Sequence, residues 1–152
     1  MEPEINLPNE MPPSFAFIGE SSLKTFYLNK DAKTMIMVWK WDIDVDDMEY
    51  KDDICYYLEL IKTYKVKFLI SDTRKSNFTV SPDLLLWYAE EIVPKLYELG
   101  IVLCGVIVDQ NLNTLNVIEE VSTNTIKIHG AQKIPNRYFQ NYAEALEWLW
   151  HK

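Results

Sequence analysis

The chain has 152 residues, a formal net charge of −8 and 48% hydrophobic residues. This length suits one domain with a single buried core, and the apolar content excludes intrinsic disorder for most of the chain. The negative charge argues against nucleic acid as a partner, because phosphate backbones are bound through Lys and Arg.

The start of the chain lacks the basic residues and the continuous apolar run of a secretion signal, and no segment reaches 18 uncharged apolar residues. We therefore expect a cytoplasmic protein without membrane insertion. The chain has only two cysteines, Cys55 and Cys104, and both are expected to be reduced thiols that act as small core residues.

Residues 1–13 contain four of the seven prolines, which predicts a disordered tail before a single domain at 14–152. Three β-prone runs follow at 14–19, 23–28 and 34–41, the last two separated by turn residues. In the third run both alternating sets of side chains are apolar. This strand is therefore predicted to lie inside the sheet, covered on both faces.

Helical spacing begins after Asp46. The apolar residues there recur at i, i+4, i+7, i+8 and i+11, namely Tyr50, Ile54, Tyr57, Leu58 and Ile61. Acidic residues crowd the start of this predicted helix and lysines its end, as the helix dipole favours.

The centre of the chain reads as strand, polar loop, helix and strand, which is one complete crossover unit. Its first strand is predicted at 67–71. Ser81 followed by Pro82 is typical of a helix start, because the hydroxyl can accept from an orphan N–H and proline needs none. Gly100 is expected to end this helix in a left-handed conformation.

Pro94 lies well inside the predicted helix. A proline there removes a hydrogen bond to the carbonyl of Glu90 and bends the helix, at a cost of about 3 kcal/mol without compensation. The buried stripe of the helix is predicted to consist of Leu85, Tyr88, Ala89, Ile92, Leu96 and Leu99.

The last third of the chain is predicted to hold a strand, a helix, an edge strand, a loop and a closing helix, at 101–108, 109–122, 125–129, 130–140 and from 141. Asn141 and Glu144 have the spacing of a capping box, and Tyr142, Leu146 and Leu149 form the buried face of the closing helix. The fold class is therefore predicted as α/β, with a single-layer mixed β-sheet, βα crossover units and helices packed on it.

This order of elements resembles the STAS superfamily, and more specifically its small SpoIIAA-like bacterial branch. The resemblance covers about residues 14–150 and rests on Asp72, Thr73 and Arg74 at a strand end, Trp87 and Pro94 in one helix, Gly100 before a strand, and the closing Glu144, Ala145, Leu146, Trp148 and Leu149. In related anti-sigma-factor antagonists a serine near such a strand end is phosphorylated. Here that motif is absent, and no serine corresponds to it.

The loop after the Asp72 strand is the main candidate site, because ligands gather beyond the carboxyl ends of parallel strands and near helix N-termini. The alternative is purely structural: a serine cap, an aspartate bound to loop amides and an arginine in a surface ion pair. The residues predicted to bind a ligand or partner are Asp72, Thr73, Arg74, Lys75, Ser76 and Ser81.

Two acidic sets have metal-like spacing. Asp42, Asp72 and Asp109 each follow a predicted strand and could together hold Mg²⁺ in a phosphate-processing enzyme. Another set, Asp42, Asp44, Asp46 and Asp53, matches part of a calcium loop but lacks its glycine and its final glutamate. Turn and helix-start roles explain these aspartates better, so neither a metal nor another cofactor is expected.

Nucleophilic catalysis finds little support. His129 is the one plausible general base, and Cys104 is expected to be buried and inert.

Trp148 and Trp150 lie two residues apart on a helix, about 200° around its axis, so they cannot both face the core. These two residues predict an interface with a protein partner or a homodimer.

The function predicted from the sequence is a non-enzymatic, STAS-like binding or regulatory module in a bacterial cytoplasm. It would recognise a partner protein or a small anion through residues 72–81. The alternative is a carrier of a small apolar ligand or lipid, since the fold of some lipid-binding proteins is grouped with this one. That function requires an apolar cavity near Trp39, Trp87 and Pro94.

Overall fold

The computed structural model describes residues 11–40, 46–75, 81–108 and 134–151. They contain one six-stranded mixed β-sheet whose strands lie in chain order. The strands are β1 Ala16–Glu20, β2 Lys24–Asn29, β3 Thr34–Trp39, β4 Phe68–Asp72, β5 Leu103–Ile107 and β6 Asn136–Phe139. The helical segments are α1 Asp47–Tyr64, α2 Pro82–Trp87, a π-helical turn Tyr88–Ile92, α3 Val93–Glu98 and α4 Tyr142–Trp150. The predicted α/β class with one mixed sheet is confirmed.

Strands β1, β2 and β3 form an antiparallel meander, whereas β3, β4, β5 and β6 are parallel. The position predicted for β3 is confirmed, since it lies between β2 and β4. Its neighbouring side chains Met35 and Ile36 point to opposite faces and are both 0% exposed. Burying an apolar side chain of this size stabilises the fold by about 1.5–3 kcal/mol.

Helix α1 begins directly after Asp46, at the helix start predicted from the cluster of acidic residues. The carboxylate of Asp46 accepts a hydrogen bond from the backbone N–H of Glu49 at 2.8 Å, which satisfies one of the orphan donors of the first turn. The predicted buried stripe is confirmed at Tyr50, Ile54, Tyr57 and Ile61, while Leu58 is only partly buried.

The helix that contains Pro94 is not regular. A π-helical turn lies immediately before it, in which the N–H of Val93 donates to the carbonyl of Tyr88, five residues earlier. Pro94 then lies in the first turn of α3, where a missing N–H is tolerated. The wider turn is the way in which this fold accommodates the proline.

The π-helical turn also changes which side chains face the core. Leu84 and Val93 are buried although neither belongs to the predicted stripe, and Leu99, predicted as buried, is 36% exposed. Ala89, Ile92 and Leu96 are buried as predicted. The extra residue in the π turn rotates the side chains that follow it relative to the α-helical period, which accounts for Val93 and Leu99. Leu84 precedes the turn, and its burial is not explained by it.

The two faces of the sheet carry separate apolar clusters. One cluster joins the sheet to α1 and to the segment from α2 to α3, and it contains Phe26, Met35 and Leu69. The other joins it to α4 and contains Ile36 and Ile70. Consecutive right-handed crossovers that proceed in one direction along a sheet place their helices on one face, which explains why α1 and α2 share a side.

The segment at 130–140, predicted as a loop, contains the strand β6. Its side chains are mostly exposed, so it lacks the alternating apolar pattern from which a strand is recognised. Backbone pairing with β5 makes it a strand. The helix predicted at 109–122 and the strand predicted at 125–129 lie outside the described residues.

Packing at the start of the chain extends to Met11, which is half-buried against the α4 cluster, and the N–H of Phe15 donates to the carbonyl of Pro12 at 3.0 Å. Packing therefore includes Met11, which precedes the predicted domain start at residue 14, while residues 1–10 of the predicted tail lie outside the described residues. Within the described ranges, no helix is long and apolar enough to cross a membrane.

Candidate functional site

Strand β4 places the predicted site residues at the carboxyl edge of the parallel part of the sheet. Asp72 ends the strand, and Thr73 and Arg74 follow it directly. Lys75 is exposed. The hydroxyl of Ser81 accepts from the N–H of Leu84 at 3.3 Å, which confirms its predicted role as the cap of α2. Ser76 lies outside the described residues.

Asp72, a residue that is 4% exposed, provides the carboxylate at the centre of this site. The Arg74 guanidinium binds it with two bonds, Nε to Oδ1 at 2.9 Å and Nη2 to Oδ2 at 2.8 Å. The N–H of Arg74 also donates to Oδ1, at 3.1 Å. The hydroxyl of Tyr142, from the first turn of α4, donates to Oδ2. Asp72 thus joins its own loop to a helix 70 residues further along the chain.

The Arg74 side chain lies over an aromatic ring as well. Its guanidinium carbon is 5.0 Å from the centroid of the Tyr142 ring, within range of a cation–π interaction. The side chain is 22% exposed. Arg74 is therefore held in one orientation with part of its surface facing solvent.

These contacts shift the pKa of each group in the cluster. Burial would raise the pKa of Asp72, but the hydrogen bonds from Arg74 and Tyr142 outweigh burial and hold that pKa below its ordinary value. Burial and the negative charge of Asp72 raise the pKa of Tyr142. At neutral pH the cluster consists of an ionised aspartate, a charged arginine and a neutral tyrosine.

Thr73 binds the neighbouring strand and has no group directed to solvent. It is 2% exposed, and both its hydroxyl and its N–H donate to the carbonyl of Ile107, at 2.8 and 3.0 Å. The side chain extends the contact between β4 and β5 past the last ladder pair. The contacts of Thr73 are therefore structural.

The predicted magnesium set is not supported at Asp72, because donors from Arg74 and Tyr142 already bind both oxygens of its carboxylate. Its other members, Asp42 and Asp109, lie outside the described residues. Among the residues that are described, no group of three or more His, Cys, Asp or Glu side chains is arranged to hold a metal ion.

The helix-start role predicted for the aspartates of the calcium-like set is confirmed at Asp46, which caps α1.

Asp53, another member of that set, is 2% exposed. Its carboxylate binds the ammonium of Lys24 at 2.7 Å and the hydroxyl of Ser21. That ammonium also lies 4.3 Å from the Trp39 ring and 4.6 Å from the Tyr57 ring. This buried ion pair was not predicted from the sequence. The only pointer to it is that Lys24 and Phe26 share the inward face of β2.

Cys104 carries the thiol considered for catalysis, and burial raises its pKa to about 12. A thiol with this pKa is almost entirely protonated at neutral pH and is a poor nucleophile. Its proposed base, His129, lies outside the described residues.

The two tryptophans of α4 pack differently. Trp148 is half-buried, 5.6 Å from Phe139 between ring centroids. Trp150 is 39% exposed, yet its indole N–H donates to the hydroxyl of Thr34 at 2.8 Å and its ring stacks on Phe15 at 6.3 Å. Both rings therefore have partners within the chain, and Trp150 also presents a surface to solvent.

In comparisons with known proteins, no family model matches this sequence and no match among curated proteins is found. The resemblance to the STAS superfamily accordingly remains a prediction from the sequence pattern.

Proposed function

We propose that this chain is a non-enzymatic binding or regulatory module of STAS type, which recognises an anionic group through residues 72–81. The anion is either a small free molecule or a carboxylate or phosphate of a partner protein. The carrying observation is the pairing of Arg74 with Asp72 and Tyr142, which orients a partly exposed guanidinium at the carboxyl edge of the parallel strands.

The neighbouring charges support this proposal. Asp72 forms an ion pair with Arg74, so among the described residues 72–75 the exposed Lys75 supplies a net positive charge in an acidic chain. A rigid arginine next to an exposed lysine combines a fixed hydrogen-bond geometry with an electrostatic attraction. The carboxyl edge of a parallel sheet is also where α/β proteins commonly bind ligands.

The alternative function, an apolar-ligand carrier, is less well supported by the surroundings of the two central indoles. The ammonium of Lys24 lies 4.3 Å from the Trp39 ring, and that of Lys51 lies 4.9 Å from the Trp87 ring. Charged groups thus lie beside both rings at the place where an apolar ligand would need a hydrocarbon lining.

The first test reverses one charge at the site. Lys75→Glu should weaken capture of the partner, or binding of inorganic phosphate, by about two- to thirtyfold, because two charge units change at roughly 0.2–1 kcal/mol each. Capture is quantified by pull-down with mass spectrometry, and phosphate binding by calorimetric titration. Retention of a partner but no phosphate binding would assign the anion to a protein.

Lys67→Glu is the matched control, because Lys67 is also exposed but precedes β4 at the opposite edge of the sheet. The double variant Arg74→Ala with Ser81→Ala removes the oriented guanidinium and the helix cap. If all three variants bind as the wild type does, with unchanged circular dichroism spectra, residues 72–81 are not the recognition site.

A further inference from the structure

The residues that the structure describes leave the face of the sheet opposite α1 incompletely covered over its antiparallel half. Side chains on this β1–β3 face, defined here as Phe17, Thr25, Tyr27, Ile36 and Val38, alternate with those that point towards α1. Phe17 is 57% exposed, while Thr25, Tyr27 and Val38 are half-buried. Only Ile36 is fully buried.

The described helices explain this exposure. Helices α1, α2 and α3 pack on the other face, and α4 lies mainly over β5 and β6. Only the end of α4 reaches β3, where Trp150 binds Thr34. An apolar sheet face of this kind is stabilised when another surface covers it.

The aromatic side chains at this surface have contacts within the chain that restrict their orientation. Phe17 packs edge-on against Tyr27, with ring centroids 6.0 Å apart. Trp150 is held by Thr34 and stacks on Phe15. Rigid aromatic groups lose little conformational entropy on association, and they are enriched at interfaces between proteins.

Charge distinguishes this face from the rest of the molecule. Along the described strands β1, β2 and β3 and the residue that follows β3, the charged side chains on this side are Glu20 and Lys40, which neutralise each other at 2.7 Å. The whole chain has a net charge of −8. Two copies would therefore repel each other through most surfaces but can approach through this neutral one.

We propose that the β1–β3 face binds the same face of a second copy of this chain in a two-fold symmetric dimer. Phe17 and Tyr27 of each copy pack against the sheet of the other, with Trp150 at the margin. A single apolar patch of three short strands is smaller than a standard interface, so a dissociation constant in the micromolar range is expected. This dimer involves none of residues 72–81, and so it stands or fails independently of the proposed function.

Sedimentation velocity and native mass spectrometry of the full chain over a range of concentrations test the proposal. The wild type should form dimers, and Phe17→Glu should weaken dimerisation by at least about 30-fold, as expected for a buried aromatic anchor. Phe17→Lys should have the same effect, which separates loss of the apolar contact from added negative charge. Tyr97→Glu is the control, because Tyr97 is 52% exposed on α3, on the other side of the sheet.

Raised salt should leave the dimer intact or strengthen it, since the contact is apolar and salt screens repulsion between the acidic copies. A wild type that stays monomeric at all concentrations would overturn the proposal, as would a dimer that Tyr97→Glu disrupts as strongly as Phe17→Glu does. A monomer whose stability falls in both Phe17 variants would show that the chain itself covers this face, which also overturns it.

Discussion

Asp72 illustrates how one buried side chain can connect distant parts of a chain. Its carboxylate accepts from Arg74 two residues later and from Tyr142 seventy residues later. A buried carboxylate without such donors would be strongly destabilising, since ionised groups lose their hydration on burial. The cluster therefore fixes the loop that follows β4 to the beginning of α4.

The hydroxyl of Tyr142 should contribute to stability in a pH-dependent way. Tyr142→Phe removes a hydrogen bond to a charged, buried group and should lower the free energy of unfolding by about 1.5–3 kcal/mol at pH 7. The folded-state pKa of Asp72 is depressed, so its stabilisation is present above the unfolded pKa and is lost as pH falls through the folded value. The difference between the two proteins should therefore shrink below about pH 4.

Urea unfolding at a series of pH values measures this difference. Tyr97→Phe, which removes the hydroxyl of an exposed tyrosine, serves as the control and should change stability by less than about 0.5 kcal/mol. A Tyr142→Phe deficit that is constant from pH 7 to pH 3 would contradict the assigned role of the ionised carboxylate.

At the scale of elements, the π-helical turn determines where Pro94 lies in the helix. The turn leaves the proline in the first turn of α3 and moves Val93 into the core. Tyr88, the first residue of the turn, shares a 2.7 Å hydrogen bond with Tyr57 of α1. The irregular turn is thus held by packing against a neighbouring helix as well as by the proline.

Pro94→Ala should therefore change the free energy of unfolding by less than about 1 kcal/mol, because the proline already occupies a tolerated position and alanine mainly frees the unfolded chain. A gain of about 3 kcal/mol would instead mean that the proline is strained. Glu59→Pro is the contrasting variant. Glu59 is exposed inside the regular helix α1, and proline there should cost about 3 kcal/mol or more. Chemical denaturation compares the two.

At the scale of the whole molecule, the ion pair of Lys24 and Asp53 ties the β-meander to the first crossover helix. Both residues are almost fully buried, and Ser21, Trp39 and Tyr57 surround them. Removing one member of such a pair leaves an uncompensated buried charge, whereas apolar replacement of both is often tolerated.

Asp53→Leu alone is expected to destabilise the fold by about 3–5 kcal/mol, and adding Lys24→Met should recover most of that loss. A double-mutant cycle by thermal or urea unfolding gives the coupling energy. Lys40→Met, at the exposed pair with Glu20, should cost about 1 kcal/mol or less. Additive effects of the two buried substitutions would contradict a direct ion pair.

The amino-acid sequence by itself determined the elements that depend on neighbouring residues. Caps at Asp46, Ser81 and Asn141 were predictable because a side-chain oxygen and the N–H it accepts from lie three residues apart. The interior place of β3 followed from apolar side chains on both of its faces.

Only the tertiary structure decided the contacts between groups far apart along the chain. No periodic pattern in the sequence predicts three of these features: the contact of Asp72 with Tyr142 on α4, the pairing of Lys24 with Asp53, and the strand β6. These contacts form only when folding brings distant backbone segments together in the sheet. A buried charge without a partner is strongly unfavourable, so the folded state is one in which each of these buried charges has a partner. The position of Asp72 at the end of β4 was therefore predictable from the sequence, whereas the contact of Tyr142 with Asp72 and Arg74 was visible only in the folded molecule.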